Sequence, residues 1–182
     1  MGKKQRVESL SYPIIKHSIE RLGGWYYKPP DTGFVKKPEE GEEKEGNRFS
    51  PPRPLDIIGC LKEGVLLIEM KGFRGVCGLS YKHLRPSQVI TYEKTSKLPN
   101  AFYCNLIGYF FFEAKTLKKI VFVDYEHLKK VNLIRKSLVE AFLSIPGNGQ
   151  VFGETLEDPE TKKKSRKYFI DLDNLENYII QP

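Results

Sequence analysis

Arg53-Pro-Leu-Asp-Ile-Ile-Gly-Cys-Leu-Lys-Glu-Gly-Val-Leu-Leu-Ile-Glu-Met-Lys71 (RPLDIIGCLKEGVLLIEMK) decides the fold. It holds two β-rich apolar runs joined at Lys62-Glu63-Gly64, which predicts a hairpin. In a strand, residues two apart share a face. Val65, Leu67, Glu69 and Lys71 therefore point one way, and Leu66, Ile68 and Met70 the other. Both faces begin apolar, as in a central strand, but one turns charged at its far end. A turn about the Lys62–Glu63 bond sets Asp56 opposite Glu69, with Cβ atoms about 5 Å apart. Two like charges so placed are destabilising unless a cation lies between them. An all-oxygen site of this kind suits Mg2+ or Mn2+ rather than zinc. A three-residue turn with Gly64 left-handed would instead put the two carboxylates on opposite faces, so the turn decides the reading.

Around this hairpin, the order of elements predicts a mixed α/β fold: a central sheet flanked by helices in one domain. Val7, Leu10, Ile14, Ile15 and Leu22 form a helical stripe ending at Gly23-Gly24, with Pro13 inside it, so the helix starts near Tyr12 or kinks there. Trp25 to Lys28 reads as a short strand stopped by Pro29-Pro30. Residues 35–54 hold five glutamates, three lysines and four prolines, which predicts an exposed excursion. Pro86 suits the first turn of a helix reaching about Lys97. Residues 101–113 and 118–123 read as buried strands. Asp124 can cap one long helix through Leu128, Val131, Ile134, Leu138, Phe142 and Ile145. The basic run at residues 162–167 precedes a last strand, Tyr168 to Ile170, and a short helix capped by Asp171 or Asp173.

Composition narrows the function. The chain has 182 residues, 40% hydrophobic, and a net charge of +7. That suits one domain with a real core, and an acidic partner such as nucleic acid, whose phosphates Lys and Arg neutralise. Cys60, Cys77 and Cys104 are far apart and pair with no His motif, so reduced thiols in a cytoplasmic protein are expected rather than a zinc site. The opening MGKKQRVESL lacks an apolar signal core, and no apolar run approaches about 18 residues, so no membrane association is expected.

The pattern Pro54-Leu55-Asp56, a hairpin-length gap, then Glu69-Met70-Lys71 resembles the PD-(D/E)XK nuclease superfamily. Over residues 7 to 130 the chain also resembles the RecU-type Holliday junction resolvases. It shares Lys28-Pro29 after the first strand, then an excursion, Asp56, Gly64, Glu69-x-Lys71, an apolar Leu79, Gln88 opening a helix and an aromatic strand around residues 102–112. It departs from that family at its opening, where MGKKQRVES replaces the usual Asn-Arg-Gly. The resemblance implies a restriction-endonuclease-like sheet and a Mg2+- (or Mn2+-) dependent endonuclease acting on DNA, branched or four-way, as a homodimer. Asp56, Glu69 and the Met70 carbonyl would hold the metal, and Lys71 would orient or deprotonate the attacking water. Gln88 would position water or phosphate, and Glu8 would supply an outer carboxylate, with Glu20 as the alternative. Lys28, Arg74, Lys82, Arg85, Lys163, Lys164 and Arg166 are candidates for the DNA backbone. The excursion matches in position the stalk of such proteins, although its glutamates oppose direct phosphate contact. Two other readings stay open: a restriction- or repair-type nuclease on the same fold, and a non-catalytic nucleic-acid-binding domain in which Glu69 and Lys71 merely pair.

Overall fold

The computed structural model describes residues 7–29, 55–62, 64–97, 103–114 and 116–181. The excursion expected at residues 35–54 lies outside the described residues. Apolar alternation on extended chain builds a five-stranded sheet from β1 (Trp25–Tyr27), β2 (Ile57–Leu61), β3 (Gly64–Arg74), β5 (Tyr103–Glu113) and β6 (Thr116–Asp124). Their spatial order is β1-β2-β3-β5-β6. Only the central β3–β5 pair is parallel, so the sheet is mixed, as the sequence predicts.

Both faces are covered. Helix α1 (Val7–Arg21) packs Ile14, Ile15 and Ile19 on one face, against Ile57, Leu66, Ile68, Met70, Leu106 and Phe122. It runs unbroken through Pro13, whose side is exposed and whose missing N–H costs one intrahelical bond. On the opposite face lie α2 (Pro86–Thr95), α3 (Tyr125–Val131) and α4 (Lys136–Ser144), which bury Tyr92, Tyr125, Leu128 and Val139 against Leu67, Ile107, Tyr109 and Val123.

Besides α1, which starts at Val7 rather than near Tyr12 and is not broken at Pro13, two sequence expectations change. The single long helix after Asp124 is two helices, because Asn132 takes φ 62° and closes α3. Asparagine tolerates this left-handed conformation better than most residues. Leu133–Ile134 (β7) then pairs with Leu79–Ser80 (β4), which keeps Ile134 buried without a helix. The second change concerns the basic run, of which Lys164 to Lys167 lie inside a strand rather than before one. β9 (Lys164–Phe169) pairs with β8 (Phe152–Glu157), whose alternation at residues 152–157 is too polar to stand out as a strand. This hairpin packs on the α1 side, where Glu154 meets His17 at 2.5 Å and also Arg21. A 3-10 turn at Leu172–Asn177 follows Asp171, although the Asp171 side chain makes no capping bond.

Candidate active site

The hairpin register settles where the charges of the opening stretch lie. Leu61 pairs with Gly64 and Ile57 with Ile68, so the turn lies between Leu61 and Gly64 and the next row holds Asp56 and Glu69. The strand pairing of β2 stops at Ile57, and Asp56 substitutes its side chain for the missing backbone partner: the Met70 N–H donates to Asp56 Oδ2 at 2.8 Å. A strand residue directs its N–H and C=O to the same side, so the Met70 carbonyl faces the edge that Asp56 occupies. The Tyr12 hydroxyl of α1 donates to Asp56 Oδ1 at 3.2 Å, and the Lys28 ammonium lies 4.0 Å from the centre of the Tyr12 ring.

Glu69 sits in the buried middle of β3, only 3% exposed. Lys71 follows on the same face and reaches Glu69 Oε1 at 2.8 Å. Helix α2 brings Gln88 over the pair because Gln88 is its third residue, and its side chain accepts the Arg85 N–H at 2.8 Å in a capping box. The same Gln88 carbonyl oxygen accepts from Lys71 Nζ at 3.1 Å, while its amide nitrogen donates to Glu69 Oε1. Asp56, Glu69, Lys71 and Gln88 are thus all buried and gathered where β2 ends.

Partnering is uneven. Glu69 Oε1 takes both donors, whereas Oε2 is buried with no hydrogen-bond partner among the described residues. Burial, then the neighbouring Asp56 carboxylate, pushes the Glu69 carboxyl up to about 7, and Lys71 only partly offsets this. An unpartnered buried carboxylate oxygen beside a second carboxylate is costly. A cation bound by Asp56, Glu69 Oε2 and the Met70 carbonyl would relieve that cost. Two carboxylates suffice for Mg2+, which keeps its remaining positions for water and phosphate oxygens. Among the described residues no cluster of three or more His, Cys, Asp or Glu side chains exists that could hold a metal.

Other expected residues fall into three groups. Glu8 lies within α1, one turn before Tyr12, with its side chain outside the described residues. Glu20 is exposed and pairs with Lys16; it lies two turns beyond Tyr12, about 12 Å along the helix axis, so it is not brought to the site. Arg85 caps α2 beside Gln88, Arg74 ends β3 three residues after Lys71, and Lys82 sits in the 3-10 turn Tyr81–His83. All three side chains are exposed, and Arg74, three residues past Lys71, lies on the opposite face of β3. Lys163, Lys164 and Arg166 are exposed too, but on the β8–β9 hairpin over the opposite face.

Three residues went unseen in the sequence. Tyr92, fully buried, accepts the Glu69 N–H at 3.0 Å and donates to the Leu106 carbonyl at 2.8 Å, tying β3 to β5 under the site. Burial and the nearby Glu69 charge hold its phenol well above the usual range, so it remains a donor. Its four-residue spacing from Gln88 was the available signal. Tyr12 is 44 residues from Asp56 and gave none. His83 packs its ring 5.0 Å from Phe73 and 5.8 Å from Tyr109; burial and the Lys71 charge hold its imidazole below the ordinary range.

No protein-family model matches the chain, and no curated protein matches it. No helix among the described residues is long and apolar enough to cross a membrane.

Proposed function

We propose that this chain is a metal-dependent endodeoxyribonuclease, of the kind its RecU-like motif suggests, cutting branched or four-way DNA as a cytoplasmic homodimer. The observation that carries the reading is the buried pair Asp56 and Glu69, with Glu69 Oε2 left without a partner beside Lys71. Bound Mg2+ or Mn2+ would lower the pKa of the attacking water and offset charge on the phosphate. The protein's own groups supply the rest. Asp56 is held by Tyr12 and the Met70 N–H, so its orientation is fixed before substrate arrives. Lys71 lies between Glu69 and Gln88, placed to steer the nucleophilic water or to neutralise charge on the phosphate oxygens as the P–O bond breaks. Gln88, fixed by Arg85, sets the position of the Lys71 ammonium. A two-fold symmetric junction needs two such sites, hence the homodimer.

The 2.8 Å Glu69–Lys71 contact also favours a second reading, a static ion pair in a nucleic-acid-binding domain without catalysis. Incubation of the protein and Mg2+ with a four-way junction and with linear duplex separates the possibilities. Symmetric nicks on the junction with little cutting of duplex support the resolvase. Cutting of duplex alone moves the assignment to a restriction- or repair-type nuclease. No cleavage of any DNA with Mg2+ or Mn2+ leaves only the binding domain.

A further inference from the structure

The edge strand β1 carries two large aromatic side chains that are exposed. Trp25 is 59% and Tyr27 43% exposed, and their rings stack at 5.8 Å between centroids and 3° between planes. Isolated exposed aromatics are ordinary, but this pair has a defined place in the sheet. Trp25 pairs with Cys60 and Tyr27 with Ile58, while Cys60 and Ile58 pair with Val65 and Leu67 of β3. Directly paired residues share a face, and on β3 Val65 and Leu67 are followed on that face by Glu69 and Lys71. The stacked rings and the candidate catalytic side chains therefore belong to one face, two strands apart. Tyr26, between them in sequence, packs instead into the α1 side. The Tyr27–Ile58–Leu67 row is one two-residue step from the Asp56–Glu69 row. Strand spacings then put Tyr27 roughly 12 Å from Glu69.

We propose that Trp25 and Tyr27 are a stacking platform for an unpaired base of the DNA whose backbone is cut at Asp56 and Glu69. This rests on the nuclease reading and narrows its substrate. A flat aromatic surface engages a base only when that base's π-face is free, so the platform selects single-stranded or branch-point nucleotides over continuous duplex. The charge around it suits a DNA strand: Lys62 is exposed beyond Cys60 at the hairpin turn, and the chain as a whole carries +7. A second copy of the chain is the competing occupant of such an edge, and the test excludes or establishes it.

Trp25 is the only tryptophan, so indole emission reports this position alone. The intact protein, kept metal-free with EDTA so that nothing is cut, is titrated with a short single-stranded oligothymidylate and with blunt duplex. Emission and the anisotropy of a labelled strand are read together. The expected result is saturable quenching by the single strand and none by the duplex. Trp25→Ala and Tyr27→Ala would each weaken single-strand binding by about tenfold, and Trp25→Phe would largely retain it. The proposal is overturned if the strand binds without changing emission, if it does not bind, or if the alanine variants bind as tightly as the parent. It is equally overturned if emission follows protein concentration and sedimentation shows a dimer that Trp25→Ala abolishes. Because no metal is present, failure here leaves the nuclease reading standing, and quenching without cleavage in the Mg2+ assay would leave the platform standing alone.

Discussion

At the scale of single residues, Glu69 meets opposed demands. The sheet buries it, Asp56 repels its charge, and Lys71 with Gln88 satisfies only one of its oxygens. The folded protein therefore keeps on this carboxyl, up to a pH of about 7, a proton that an ordinary carboxyl loses near 4.5. The sign follows. Between those two values the native state binds more protons than the unfolded chain, so the stability contributed by this group falls as pH rises and levels off above about 7. Urea unfolding without metal, at pH values on either side of the window, should show this loss in the parent relative to Glu69→Gln. Identical pH slopes in the two proteins would contradict it. Tyr12 offers a milder test, since Tyr12→Phe removes the hydroxyl that orients Asp56. Calorimetric titration with Mn2+ should show a 10- to 100-fold weaker site, the usual size of an effect on a group that orients a metal ligand. Asp56, Glu69, Lys71 and Gln88 were legible in the sequence because a hairpin and a helix start fix them locally. Tyr12 was not, since its contact depends on how α1 docks.

Among the elements, the hairpin of β2 and β3 sets the site and β5 supports it from the other side. Gly108 on β5 lies opposite Met70, and a Cβ there would come within 2.8 Å of the Phe110 and Phe122 rings. Gly108→Ala should accordingly destabilise the protein by about 1–3 kcal/mol, read as a lowered urea midpoint. An unchanged midpoint would mean that the core beneath β3 has slack. The strands of the central sheet were readable because both their faces are apolar, as burial on both sides requires. The β8–β9 hairpin was not, since it is exposed over nearly its whole length and so carries no hydrophobic period. The helix after Asp124 misled for the opposite reason. Its apolar spacing runs on through Ile134, and only the backbone of Asn132 breaks it.

Across the whole molecule, two of the exposed basic groups among the described residues lie on opposite faces of the sheet. Lys82 and Arg85 stand beside the face that carries Glu69, while Arg74 projects from the other face of β3 and the lysines and arginine of the β8–β9 hairpin stand over the α1 face. A strand passing the carboxylates would meet the first group and the Trp25–Tyr27 rings without touching the second. Such a separation was invisible in the sequence, which offers Lys163, Lys164 and Arg166 as backbone contacts on the same footing as Lys82 and Arg85. The central claim is that Asp56 and Glu69 hold a divalent cation for phosphodiester hydrolysis, and one cleavage measurement tests it. Four-way-junction DNA is incubated with the parent, Asp56→Asn, Glu69→Gln and Lys71→Ala as Mg2+ is titrated, with folding of each variant verified by circular dichroism. The account predicts metal-dependent cutting by the parent and a loss of at least about 10²-fold in each folded variant. Cutting that persists in Asp56→Asn and Glu69→Gln, or a parent inert at every Mg2+ and Mn2+ concentration, would contradict it.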